Sequence, residues 1–135
     1  MNLFDYRRRE TGEVQIGGKP LGGNHPIRVQ SMTNTSTMDT EACVAQTLRI
    51  AEAGGDYVRL TTQGVREAEN LRNINAGVRA AGCAVPLVAD VHFNPKVADV
   101  AALYAEKVRI NPGNYVDACL LYTSQPTRLA LISYA

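Results

Sequence analysis

Apolar and polar positions change their period several times along the chain, and each change marks an element. Glu13-Val14-Gln15-Ile16 alternates polar with apolar and runs into Gly17-Gly18-Lys19-Pro20, the pattern of a short hairpin that serves the domain as a lid or plug. Pro26-Ile27-Arg28-Val29-Gln30-Ser31-Met32 reads as a first strand, and a loop rich in Thr and Asn follows over 33–37. Asp39 is placed to cap a helix in which Val44, Leu48 and Ala51 recur at i, i+4 and i+7, and Gly54-Gly55 ends it. Asp56-Tyr57-Val58-Arg59-Leu60-Thr61 is a second strand. The next helix covers about 65–81, with Leu71, Ile74, Asn75 and Val78 inward and Gly82 as its stop. A third strand spans 85–90. Pro95 then opens a helix whose Val97, Ala98, Ala101, Ala102 and Ala105 form a small-residue face. Lys107-Val108-Arg109-Ile110-Asn111 is the fourth strand, closed by Pro112-Gly113.

Strands alternating with helices and rich in Val, Leu and Ile indicate a parallel sheet covered by its crossovers. A doubly wound sheet and a closed barrel both fit that alternation. No strand leads into GxGxxG or a Walker sequence, so the usual nucleotide fingerprints of open sheets are missing. Four strand–helix units are half of a closed barrel, which takes ~250 residues. The expected fold class is α/β: the N-terminal half of a (β/α)8 TIM-type barrel preceded by a short β-hairpin. The pattern fades from Ala118 onward. The expected division is a partial, substrate-binding barrel domain over 1–117 and a tail over 118–135 that is artefactual or disordered, with a genuine irregular segment as the alternative.

Composition narrows the function classes. The 135 residues carry 14 basic and 13 acidic side chains, a net charge of +1, so no global field draws in nucleic acid or an anionic membrane surface. Anion binding has to be local. No apolar run reaches the ~20 residues of a membrane span. The run Arg7-Arg8-Arg9 has no apolar stretch after it, so it is read as a solvated face and not as a secretory signal. Cys43, Cys83 and Cys119 have no metal or redox spacing and are read as small side chains in a reducing cytoplasm, with no metal site expected in the chain.

Candidate chemistry sits at the carboxyl ends of the strands. The first carries Ser31 and Thr33, the second Arg59 and Thr61, the third Asp90 and His92, and the fourth Arg109 and Asn111. Each pair is spaced i, i+2, which puts both side chains on one face, with Val58, Leu60, Val108 and Ile110 on the other. Barrel active sites collect at this end, so a shared polar pocket is expected. Arg59 and Arg109 need an internal acid or an anionic ligand, because an unpaired buried guanidinium is costly. One reading is an Arg–Asp pair through Asp90. The other is a cradle for a phosphate or diphosphate ester, with His92 donating to a phosphate oxygen or moving a proton. His25 and Lys107 receive no functional role.

In order and spacing, four segments resemble the signature stretches of the 4-hydroxy-3-methylbut-2-enyl diphosphate synthase family: Val29-Gln30-Ser31-Met32-Thr33-Asn34-Thr35; Val58-Arg59; Pro86-Leu87-Val88-Ala89-Asp90-Val91-His92-Phe93; and Arg109-Ile110-Asn111-Pro112-Gly113-Asn114. The resemblance runs from about Tyr6 to Asp117. Arg59-Leu60-Thr61-Thr62-Gln63-Gly64 with Glu67-Ala68 is similar to the long form of the family, which carries an inserted domain. The resemblance implies an oxidoreductase of non-mevalonate isoprenoid biosynthesis that reductively opens 2-C-methylerythritol 2,4-cyclodiphosphate. It also implies a [4Fe-4S] cluster in the full-length enzyme, ferredoxin or flavodoxin as electron donor, and a homodimer. By position, Arg59 and Arg109 would hold the diphosphate, Asp90, His92 and Asn111 would complete the pocket, and Ser31 and Thr33 are further candidates. Catalytic residues stay unassigned. The cluster ligands fall outside this chain, so it is expected to bind no cluster and to be inactive alone. Two other readings stand beside this one: another barrel enzyme for a phosphorylated or pteridine substrate, and a non-catalytic fragment that associates through its open edges.

Overall fold

The computed structural model describes residue 7 and residues 9–113, so the tail over 118–135 and Cys119 lie outside the described residues. The chain opens with a hairpin, β1 (Val14–Ile16) and β2 (Lys19–Leu21), paired antiparallel with Ile16 opposite Lys19. Gly17 turns it with φ +57°, and a Cβ there would stand 3.0 Å from Pro86 Cγ, so a side chain would be strained in its backbone and tight against Pro86. Then come β3 (Gln30–Met32), α1 (Thr40–Glu52), β4 (Tyr57–Thr62), α2 (Val65–Ala80), β5 (Leu87–Val91), α3 (Pro95–Ala101) and β6 (Lys107–Ile110).

Strands β3 to β6 are parallel and lie side by side in chain order. Leu60, Leu87, Ala89 and Val91 pack with Cys43, Leu71, Ile74 and Val78 in one buried cluster, so the helices share a single face of the sheet. Consecutive strand order with all crossovers on one side is barrel winding. A doubly wound sheet reverses direction at a switch point and carries helices on both faces. The alternation along β4 is clear: Val58, Leu60 and Thr62 are buried toward the helices, and Arg59 and Thr61 are half-buried on the other side. On that other face Tyr57 and Val88 are covered by Ile16 of the hairpin, and the Tyr57 hydroxyl donates to the Lys19 carbonyl at 2.7 Å. The expected plug therefore seals the amino-terminal end of the strands.

Local signals account for most boundaries. The Asp39 carboxylate accepts from Ala42 N at 3.1 Å and caps α1, and Gly54 takes φ +96° just beyond that helix. Asn94 caps α3 by accepting from Lys96 N, with Pro95 in the first turn. Three expectations shift. The first strand is laddered only over Gln30–Met32: Ile27 and Val29 are 78% and 59% exposed, and the Val29 carbonyl accepts from Asp56 N and Tyr57 N at the very start of β4. The third strand starts at Leu87, two residues later than expected, and runs to Val91. In α1 the fully buried side chains are Cys43 and Thr47, one position before the expected Val44 and Leu48. Val44 and Ala51 pack against the core while partly buried, and Val44 rests on Gly77 of α2, where a Cβ would lie 2.8 Å from Val44 Cγ2.

Candidate functional site

At the carboxyl ends of the strands, the face away from the helices converges on Asp90. Its register partners are Thr61 on β4 and Arg109 on β6, and Arg59 stands one layer below, opposite Val88. Arg59 donates to Asp90 Oδ2 from Nε at 2.9 Å and also from Nη2. Arg109 Nη1 donates to Oδ1 at 2.9 Å, and His92 Nε2 lies 3.3 Å from Oδ2. The Asp90 side chain is 0% exposed, whereas Arg59 and Arg109 are each 27% exposed and His92 is 32% exposed. Burial pushes the Asp90 carboxyl up, but hydrogen bonds from Arg59 and Arg109, with the charges of Arg59 and His92, outweigh it and hold the group below its ordinary value. It is a carboxylate at neutral pH.

The geometry contains elements of both an Arg–Asp pair and an anion cradle. Asp90 serves both arginines, not one. Among the described residues, two guanidiniums against one carboxylate leave a surplus positive charge whose donors open toward solvent. Asn111 follows the end of β6 and turns its Oδ1 back to accept from Gly113 N at 3.1 Å, so it shapes the loop beside Arg109. Ser31 does not join the cluster. The parallel register pairs Ser31 with Val58 and Met32 with Arg59, so Ser31 falls on the helix-side face. The i, i+2 rule fixed which side chains share a face within the strand and left open which face that is.

Thr33 is 5% exposed, and its Oγ1 has no hydrogen-bond partner among the described residues, while its amide donates to Arg59 O at 2.9 Å. It lines an adjoining polar cleft of about 290 Å³ together with Thr35, Thr37, Thr61, Gln63 and Glu67. Gln63 and Glu67 were missed as site neighbours. The composition of the 33–37 loop was the available signal for the rest of this cleft.

The described residues do not fit an iron–sulfur cluster. Among them no group of three or more His, Cys, Asp and Glu side chains could hold a metal ion. Cys43 is buried with its Sγ 3.2 Å from Ser36 O, and Cys83 is half-buried beyond the end of α2. Burial pushes the Cys43 thiol up, against a lowering hydrogen bond with Thr35 and with a further rise from Asp39, so it stays protonated. No helix among the described residues is long and apolar enough to cross a membrane.

A family model described as the GcpE TIM-barrel domain matches residues 11–130, which runs past the expected boundary at 117. Proteins named 4-hydroxy-3-methylbut-2-en-1-yl diphosphate synthase (flavodoxin) are similar over most of the chain. That of Bacteroides thetaiotaomicron is 79% identical over 118 residues, and that of Phocaeicola vulgatus is 78% identical over 117; each match covers 87% of this chain and 19% of the relative. The Porphyromonas gingivalis protein is 61% identical over 117 residues, 87% of this chain and 20% of that protein. The chain thus spans about a fifth of the length of the curated relatives it matches. The family match covers both the helix-backed parallel strands and the arginine-bearing strand ends, and the chain belongs to the GcpE TIM-barrel family.

Proposed function

We propose that the protein carrying this segment is a 4-hydroxy-3-methylbut-2-enyl diphosphate synthase, and that the segment supplies the part of its barrel that grips the diphosphate. The reaction takes 2-C-methylerythritol 2,4-cyclodiphosphate with two electrons and two protons, opens the ring, and yields 4-hydroxy-3-methylbut-2-enyl diphosphate and water. The observation that carries this reading is the convergence of Arg59 and Arg109 on one buried carboxylate, which leaves excess positive charge at the strand ends. Forked guanidiniums suit diphosphate oxygens, which accept in pairs. His92 is the neighbouring group able to donate to a phosphate oxygen, and Asn111 and Thr33 border the same end of the strands.

The electron donor we assign is flavodoxin, the donor printed in the names of the relatives. The full-length protein acts as a cytoplasmic homodimer, and its [4Fe-4S] cluster is held outside this segment, since the donor set described here does not suit one.

The test is calorimetric titration of the cyclic diphosphate into a chimera in which this segment replaces the matching 118 residues of the Bacteroides thetaiotaomicron protein. Arg59→Ala and Arg109→Ala should each weaken binding by about tenfold or more, the worth of one charge-assisted hydrogen bond. Binding untouched by either substitution, or a preference for a pteridine, would overturn the reading.

A further inference from the structure

The geometry points to Asp90 as a positioning residue that never touches the ligand but sets the spacing and orientation of the two arginines that do. This rests on the diphosphate reading above and deepens it. The carboxylate is 0% exposed beneath side chains that are 27% to 32% exposed, so an anion arriving from solvent meets guanidinium and imidazole first. Both carboxylate oxygens are already engaged, Oδ2 by Arg59 and His92 and Oδ1 by Arg109. A diphosphate oxygen driven against Asp90 would meet like charge with no donor between them.

The three neighbours come from three separate places: Arg59 from the middle of β4, Arg109 from β6, and His92 from the turn after β5. Each arginine is a long, rotatable side chain whose free head would sample several positions. Asp90 fixes them because it belongs to β5, between β4 and β6, and all five residues of that strand are buried. Arg59 binds through the Nε and Nη2 edge, which locks the plane of its guanidinium and not merely its position. Arg109 binds through Nη1. The remaining N–H groups of both forks are thereby turned away from the carboxylate.

Positioning and simple charge predict opposite signs. If Asp90 acted only through its charge, replacing it with Asn would remove a nearby negative group and strengthen attraction for a diphosphate. If it positions the arginines, the same change releases both forks and weakens binding despite the more positive site. Losses of an orienting partner typically run to about 10–100-fold.

The experiment compares wild type, Asp90→Asn, Asp90→Glu, Arg59→Ala and Arg109→Ala in the chimera described above. Cyclic diphosphate binding is read by calorimetry and turnover is read with reduced flavodoxin. The expected result is a rise of about tenfold or more in Kd and KM for Asp90→Asn, with a smaller change in kcat, and partial recovery in Asp90→Glu. A loss of folded protein alone would lower kcat through the active fraction and leave KM unchanged, which would overturn the positioning role. Equal or tighter binding by Asp90→Asn, with both arginine variants weakened, would also overturn it while leaving the diphosphate reading intact. If Asp90→Asn fails to fold, Asp90→Glu decides: its longer side chain displaces both guanidiniums, so unchanged binding in that variant refutes the inference. No binding by wild type removes the diphosphate reading and this role together.

Discussion

Arg79→Ala should destabilise the chain by about 3 kcal/mol while leaving ligand binding alone. Arg79 lies in the last turn of α2, and its Nη1 donates to Cys83 O and Val85 O, both at 2.9 Å. Nη2 donates to Glu106 Oε1 at 2.6 Å, and Glu106 Oε2 accepts from Leu87 N at 2.7 Å. One side chain thus ties the end of a helix to the starts of β5 and β6. The Arg79 side chain is 34% exposed, so water refills part of what is lost. Two charged donors on carbonyls, discounted in that way, contribute about 1 kcal/mol each, and the half-exposed ion pair adds up to about 1 kcal/mol. Alanine and arginine have similar helix propensity, so α2 itself offers little compensation. The assay is urea unfolding followed by circular dichroism, where the midpoint should fall with an unchanged slope. A loss below about 0.5 kcal/mol, the scatter of ordinary surface changes, would refute the latch. So would a change in cyclic diphosphate affinity, because Arg79 belongs to the opposite end of the strands from Asp90 and acts only on their starting points.

Two further outcomes are expected. Thr47 is fully buried in α1 with an Oγ1 that meets no partner among the described residues, so Thr47→Val, which keeps the shape, should raise stability by about 1 kcal/mol; a lower melting temperature would contradict the orphaned hydroxyl. Acid should weaken the fold through Asp90 and Asp56. Asp56 is held low mainly by the Val29 amide and by Lys19, and Asp90 by the arginines against the cost of its burial. Both folded values lie below the unfolded carboxylate value of about 3.9, so the unfolded chain takes up protons first as pH falls. Their contribution is complete above that value and drains below it. A urea midpoint at pH 3 equal to that at pH 6 would exclude this linkage.

The elements were legible because local chemistry announces them: Asp39 before a helix, Gly54 and Gly82 after helices, and Val58 and Leu60 alternating with Arg59 and Thr61. The missing nucleotide fingerprints already favoured a barrel over a doubly wound sheet, and the strand order, which periodicity does not contain, agrees with that choice. The arginine cluster was visible as polar residues in apolar strands. Its hub was not, because only the register shows that Asp90 lies beside Arg109 and within reach of Arg59. Ser31 was misplaced for the same reason: alternation within 30–32 is equally consistent with either face until Met32 is paired with Arg59. The seat of Val44 against α2 depends on Gly77, a residue on another helix, and a single-helix pattern has no access to such a contact.

The hairpin beneath the arginines bears on the reach of their field. Ile16, Tyr57 and Val88 put hydrocarbon where water would otherwise stand, Val88 in the layer that holds Arg59 and Tyr57 below it. Hydrocarbon polarises poorly, so that layer screens the arginines little from below, and the field of the surplus charge is concentrated toward the solvent-facing mouth. A dianion approaching from that side would feel the charge before contact, and one approaching from the sealed side would not. The antiparallel ribbon thus gives the site an electrical direction although it contributes no charged group to the Asp90 cluster.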